Sequence, residues 1–252
     1  MNTKVDIILP NYNKEIYLEE TINSVLKQTY KDWQLFIVDD CSTDNSRKIL
    51  KKYSSHKQII IIYLKKNMGV SFSRNLAIRK SNSKYISFID SDDLWSNNKL
   101  EDQINFMEKN NYNFTYTDYT PFIQKNNKLV YKKKINSPKS FNYEEFINNS
   151  SIGTSSMILS RKLVGATKFP KVDILEDFPF KSKILKKTNS AFKFEQNSTF
   201  YRITRGSLNS NKLKNLYWLW YINKKYNNLN FLKNIKSLIC ISINSIKKYG
   251  FK

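Results

Sequence analysis

Residues 5–46 read VDIILPNYNKEIYLEETINSVLKQTYKDWQLFIVDDCSTDNS, and the alternation of two periods within them decides the fold class. Val5 to Leu9 is a short β-rich run predicted to end at Pro10. From Ile16 to Leu26 the apolar positions Ile16, Leu18, Ile22, Val25 and Leu26 share one helical face. Trp33 to Val38 reads as a buried strand stopping at Asp39-Asp40. Ser42 and Thr43 then supply N-caps for a helix running to about Tyr53.

The same alternation continues outward. Ile59 to Leu64 is a third strand, Asn67-Met68-Gly69 a turn, and Ser71 to Lys80 a helix. Tyr85 to Ile89 is a fourth strand, ending at Asp90-Ser91-Asp92-Asp93. Strand and helix alternating four times predict an α/β fold with a mostly parallel sheet and right-handed crossovers. Every polar cluster follows a strand. In an open sheet the carboxyl ends of the strands form the ligand crevice, so these clusters converge.

After residue 100 the pattern loosens. A helix is predicted from about Asn98 to Lys109 and strands at Phe114 to Tyr119, Met157 to Leu159 and Thr199 to Ile203. A basic hairpin falls at Val130 to Lys134 and a helix at Ile174 to Leu185. The expected organisation is a nucleotide-sugar half (1–100), an acceptor half of the same catalytic domain (101–212) and a basic helical extension (213–252).

The 252 residues carry 43 Lys+Arg against 21 Asp+Glu, a net charge of +22. An anionic partner explains that balance; so does the Lys-, Asn- and Ile-rich usage of an AT-biased coding sequence. Cys41 and Cys240 suggest neither a disulfide framework nor a zinc site. The N-terminus shows no signal-peptide core, and no stretch approaches the roughly 20 apolar residues of a membrane span. The expected location is the cytoplasm, free or peripheral on the inner membrane face.

Three clusters carry chemistry. Asp90, Asp92 and Asp93 lie within four residues, and such carboxylates repel unless solvated or held by a cation. The cluster reads as a metal site or as an acidic turn capping the next helix. Asp39, at a strand end, is placed to accept hydrogen bonds from a base or ribose, with Ser42 or Thr43 capping the helix that follows. Arg74, soon after Gly69, is placed for a phosphate, although a lone helical Arg is also an ordinary solvated residue.

Together the stretches 5–46, NMGVSFSRNLAI (67–78) and YISFIDSDDLW (85–95) resemble the family 2 glycosyltransferases, which have the GT-A fold and transfer sugars from nucleotide donors. The resemblance thins afterward and returns at Leu175-Glu176-Asp177 and at YRITRGSLNS (201–210). It implies an inverting transferase, with a uridine diphosphate sugar as donor and a surface glycan or lipid-linked oligosaccharide as acceptor. Pro10, Asn11 and Tyr12 would line the base pocket and Asp39 bind the pyrimidine. Asn67 and Arg74 would complete the nucleotide site, Asp90 and Ser91 would contact the nucleotide, and Asp92 would ligate a divalent cation, Mn²⁺ or Mg²⁺. Glu176 and Trp95 would face the acceptor. Asp177 would remove the acceptor proton as general base; without the resemblance, Glu176-Asp177 is equally the start of a helix.

One departure concerns the metal. Many relatives carry Tyr-Arg-x-His where this chain has Tyr201-Arg202-Ile203-Thr204, and its one histidine, His56, falls in a polar loop. The resemblance therefore implies one protein ligand fewer, with water or Thr204 compensating. A basic nucleic-acid binder is the alternative class, but no such motif is present and acidic strand ends would repel a phosphate backbone. A catalytically inactive sugar-nucleotide binder is a third reading. From Leu213 onward the chain reads as helical and basic. It is either a cover for the core or a dimer contact, or else an amphipathic helix lying on anionic membrane.

Overall fold

The computed structural model describes residues 5–125, 128–204 and 212–249. Its first half alternates as β1 (Val5–Asn11), α1 (Leu18–Leu26), β2 (Trp33–Asp39), α2 (Ser46–Lys51), β3 (Ile59–Tyr63), α3 (Val70–Lys80) and β4 (Tyr85–Phe88). There follow β5 (Leu94–Trp95), α4 (Lys99–Asn110), β6 (Phe114–Lys125), β7 (Lys128–Tyr131), β8 (Ser140–Phe141), α5 (Tyr143–Phe146), β9 (Ile158–Ser160), α6 (Arg161–Val164), α7 (Asp177–Leu185) and β10 (Ala191–Arg202). Helices α8 (Lys212–Lys225) and α9 (Phe231–Tyr249) end the described chain.

One sheet of ten strands runs β3-β2-β1-β4-β9-β6-β10-β5, with β7 beside β6 and β8 beside β10. Strands β1 to β4 are parallel to their neighbours within that group, as the crossover argument requires. Strand β9 runs antiparallel to both β4 and β6, and so joins the parallel half to the remainder of the same sheet.

Helices cover both faces, which explains why all seven residues of β1 are buried. Alternate side chains divide between two cores. Ile7, Leu9, Leu35 and Ile37 pack with Leu18, Ile22, Leu100 and Ile104 from α1 and α4. Ile8, Phe36, Val38 and Phe88 pack on the other face with Ala77 of α3, Phe180 and Ile184 of α7, and Leu219 and Ile222 of α8. The period of two along each strand thus assigns residues to opposite layers.

Two sequence expectations need correction. Helix α2 begins at Ser46, and neither Ser42 nor Thr43 caps it. Those hydroxyls instead meet the loop after β1: Asn13 donates its backbone N–H to Ser42 Oγ at 3.0 Å and its amide to Thr43 Oγ1 at 3.2 Å. Strands β6 and β10 are each 12 residues, longer than their periodicity suggests, because they pair with one another along most of that length. The C-terminal helices pack against the core, one of the arrangements expected of them. Asn223 in α8 bonds Asn234 and Ser237 in α9, and Ser237 Oγ donates to the Ile147 carbonyl at 2.5 Å.

Candidate active site

Parallel register brings Asn11 beside Asp39 at the carboxyl ends of β1 and β2. Asn11 donates its amide to Asp39 Oδ1 at 2.9 Å and to Ser42 Oγ at 3.2 Å. Asp39 is fully buried, and its other oxygen accepts from Arg47 Nε at 2.7 Å and from the Ser42 N–H at 3.2 Å. Three donors thus meet Asp39, the residue expected to bind the pyrimidine, and fix its carboxylate in this corner. Pro10 is buried with it, and of the Pro10-Asn11-Tyr12 trio only Tyr12 reaches solvent.

Asp40, which sequence reading left without a role, holds the next loop. Its two oxygens accept from the N–H groups of Met68 and Gly69, each at 2.7 Å. Gly69 has φ +87°, a conformation L side chains avoid, so the glycine is what lets the chain turn into α3. Asn67 stands exposed on this turn.

Arg74 is carried by α3 into the middle of the molecule. Its guanidinium, 3 % exposed, donates Nη2 to Asp90 Oδ1 at 2.6 Å and Nη1 to Glu176 Oε1 at 2.5 Å. The two carboxylates offset the cost of burying the cation. Burial raises the Glu176 carboxyl, and the Arg74 charge opposes that rise. One arginine thereby ties the acidic motif after β4 to the Glu-Asp pair, 102 residues later.

The acidic motif divides into different environments. Asp93 is buried and raised well above the carboxylate range by burial and by its neighbours Asp92 and Asp90. It accepts from Ser155 Oγ at 2.6 Å and the Arg202 N–H at 3.0 Å. Asp92 is raised by burial, with Lys14 opposing, and its Oδ2 lies 2.6 Å from Lys14 Nζ. Ser91, between Asp90 and Asp92 in the chain, is buried. Among the described residues no group of three or more His, Cys, Asp or Glu side chains is arranged to hold a metal. The donor set still suits a hard cation that takes one or two carboxylates and completes its shell with phosphate oxygens and water. Asp92 fits as that carboxylate, and Lys14 as the positive charge a cation would displace.

Asp177 is the first residue of α7. Leu175, two positions earlier, has φ +60°, so the chain enters the Glu-Asp pair through a left-handed turn on a non-glycine residue. Asp177 Oδ2 accepts from Thr154 Oγ1 at 2.8 Å and Lys181 Nζ at 2.6 Å. Burial pushes this carboxyl up, but the Lys181 ammonium one turn along, the Arg74 charge and the Thr154 hydroxyl together outweigh it and hold the pKa at about 2. The short turn Thr154–Ser156 serves both ends of the site. Thr154 orients Asp177, while Ser155 Oγ bonds Asp93 and accepts the Asp90 N–H at 3.1 Å.

Trp95, expected to face the acceptor, is packed inside. It is 3 % exposed, donates its indole N–H to the Ser155 carbonyl at 2.8 Å, and lies under the Lys99 ammonium, 4.1 Å from the ring centre. His56 stacks on Trp33, away from the carboxylates. Arg202 takes a structural place at the end of β10, donating Nε to the Asp92 carbonyl at 2.7 Å. Residues 205–210 of YRITRGSLNS lie outside the described residues.

Sequence reading missed Lys14, Arg47, Thr154, Ser155 and Lys181. The pairing of Asp177 with Lys181 had a signal, because residues four apart on a helix are neighbours. Arg47 arrives on α2, and Lys14, Thr154 and Ser155 come from turns distant in sequence from the carboxylates they meet.

Residues 6–166 match the model of Glycosyl transferase family 2. The chain is 33 % identical to the putative teichuronic acid biosynthesis glycosyltransferase TuaG of Bacillus subtilis over 245 residues, covering 97 % of this chain and 96 % of that one. It is 37 % identical over 249 residues to WfgD of Escherichia coli, a UDP-Glc:α-D-GlcNAc-diphosphoundecaprenol β-1,3-glucosyltransferase, covering 98 % and 95 %. In fold it is similar to S. aureus TarS in complex with UDP-GlcNAc, with a TM-score of 0.74 at 20 % identity, over 97 % of this chain and 73 % of that one. A mannosyltransferase from Pyrobaculum calidifontis in complex with GDP-Man and Mn²⁺ gives 0.69 at 14 % identity, over 98 % and 76 %.

Proposed function

The chain belongs to the family 2 glycosyltransferases, and from that membership we propose an inverting transferase that moves a sugar from a uridine diphosphate donor to a hydroxyl of a lipid-linked surface-glycan precursor. The single observation that carries this reading is the network joining Asp90 and Asp93 to Glu176 and Asp177 through Arg74 and the Thr154–Ser156 turn. It holds a donor-side acidic motif and a candidate base in one rigid frame, as the proximity of two substrates requires.

In this mechanism Asp177 takes the proton of the acceptor hydroxyl while that oxygen bonds to the anomeric carbon. The bond from that carbon to the diphosphate oxygen breaks on the opposite face, and the pair of electrons leaves with uridine diphosphate. Asp177 is ionised at any neutral pH, so it is always ready to accept; its low basicity makes the proton transfer late, when the hydroxyl has become acidic. Lys181 and Thr154 fix the carboxylate by one oxygen. Asp92 would hold a divalent cation, which when bound supplies charge neutralisation on the leaving diphosphate. The exposure of Tyr12 and Asn67 supports their role as nucleoside contacts, and Arg47, 38 % exposed at its side chain, is the group a base would displace to reach Asp39.

The uridine donor and the lipid-linked acceptor rest on the likeness to the glucosyltransferase WfgD, and the surface-glycan role also on that to TuaG. The experiment is a donor-hydrolysis screen over uridine, guanosine and thymidine diphosphate sugars with Mn²⁺ present, followed by transfer to a diphosphate-lipid acceptor. Selective hydrolysis of one uridine diphosphate sugar is the expected result; preference for a guanosine or thymidine donor would overturn the assignment.

A further inference from the structure

Helix α9 turns one face to the protein and leaves another uncovered. Asn234 and Ser237 are buried, and Asn244 donates its amide to the Asn148 carbonyl at 3.2 Å. Leu232, Ile235, Ile239 and Ile243 lie away from that face and are 76 %, 37 %, 54 % and 47 % exposed. Their steps of three and four residues align them in one apolar stripe. Single exposed apolar residues are ordinary on a protein surface; a contiguous stripe marks a contact.

Positive charge borders the stripe. Lys236 follows Leu232 by four residues and precedes Ile239 by three, Lys247 follows Ile243 by four, and both are exposed. At the other end the α8–α9 connection rests on basic ground. Lys186 Nζ donates to the Asn227 carbonyl at 3.3 Å, and Lys183 lies 5.6 Å from the Tyr226 ring centre. Those two lysines, with Lys168 and Lys187, line a cavity of about 630 Å³ beside it. No helix among the described residues is long and apolar enough to cross a membrane.

We propose, independently of the sugar-transfer reading, that α9 seats the protein on an anionic lipid bilayer. The Leu232–Ile243 stripe enters the boundary between headgroups and acyl chains, and Lys236 and Lys247 meet the headgroup phosphates. Charge selects this occupant over a second copy of the chain, since two surfaces bordered by lysine on proteins of net charge +22 repel.

The test is co-sedimentation of the full chain with phosphatidylglycerol–phosphatidylcholine vesicles, against pure phosphatidylcholine, in low and high salt. The wild type is expected to bind the anionic vesicles and to release as salt rises. The Leu232→Ser, Ile239→Ser, Ile243→Ser variant, altered only at exposed positions, is expected to keep its melting temperature and lose at least about tenfold in partitioning. Lys236→Ser with Lys247→Ser is expected to lose the preference for anionic lipid. Failure of the wild type to bind, or equal binding by the apolar variant, would overturn the assignment. So would a wild-type dimer that the apolar variant dissolves without either binding vesicles. Each readout is independent of donor, acceptor and turnover.

Discussion

At the scale of the residue, the site is a set of carboxylates that the fold separates by environment. Asp93 is buried and raised, Asp177 is held at about 2 beside Lys181, and Asp92 stands against Lys14. If Asp92 holds the cation, Asp92→Asn lowers transfer by at least about 100-fold, and excess chelator silences the wild type until Mn²⁺ is restored. A turnover assay with and without chelator checks this, and full activity in chelator would remove the metal from the account. The residue types were legible in sequence: Asp-Ser-Asp-Asp after an apolar strand and Glu-Asp before a helix both pointed to chemistry. Their partners were not. Arg74 and Glu176 stand 102 positions apart, and Lys14 and Asp92 stand 78 apart. Nothing in local periodicity encodes a pairing across such a distance.

At the scale of the element, the strands and helices of residues 5–95 follow from hydrophobic period alone, because each must bury an apolar face against a neighbour. The departures lie where side chains choose tertiary partners over local ones. Ser42 and Thr43 leave the helix cap for the β1 loop, and Trp95 leaves the surface for the core. Trp95 forms one wall around Lys99 on α4, whose ammonium is fully buried and held over the indole. Burial lowers the Lys99 pKa to about 7 from 10.5. Between those values the unfolded chain binds a proton that the folded chain does not, so this residue makes stability rise with pH. Lys99→Met is expected to gain on the order of 4 kcal/mol at pH 7, a gain that shrinks toward zero as pH rises past 10.5. Denaturant unfolding of both proteins across that range measures the difference; a gap that does not change with pH would mean that Lys99 stays charged in the fold.

At the scale of the whole molecule, one continuous sheet places a parallel half and a mixed half on either side of the same frame. Strand β9 is the junction, and the turn just before it, Thr154–Ser156, touches both the acidic motif and Asp177. In the proposed mechanism this frame delivers an ionised Asp177 to an acceptor hydroxyl while the donor is held elsewhere. The most direct measurement compares Asp177→Asn with the wild type in two readouts, single-turnover transfer and calorimetric binding of uridine diphosphate. Loss of the base should lower the transfer rate by about 10²–10⁴-fold, with nucleotide affinity unchanged. Wild-type turnover in the variant, or a loss of nucleotide binding equal to the loss of rate, would contradict the claim.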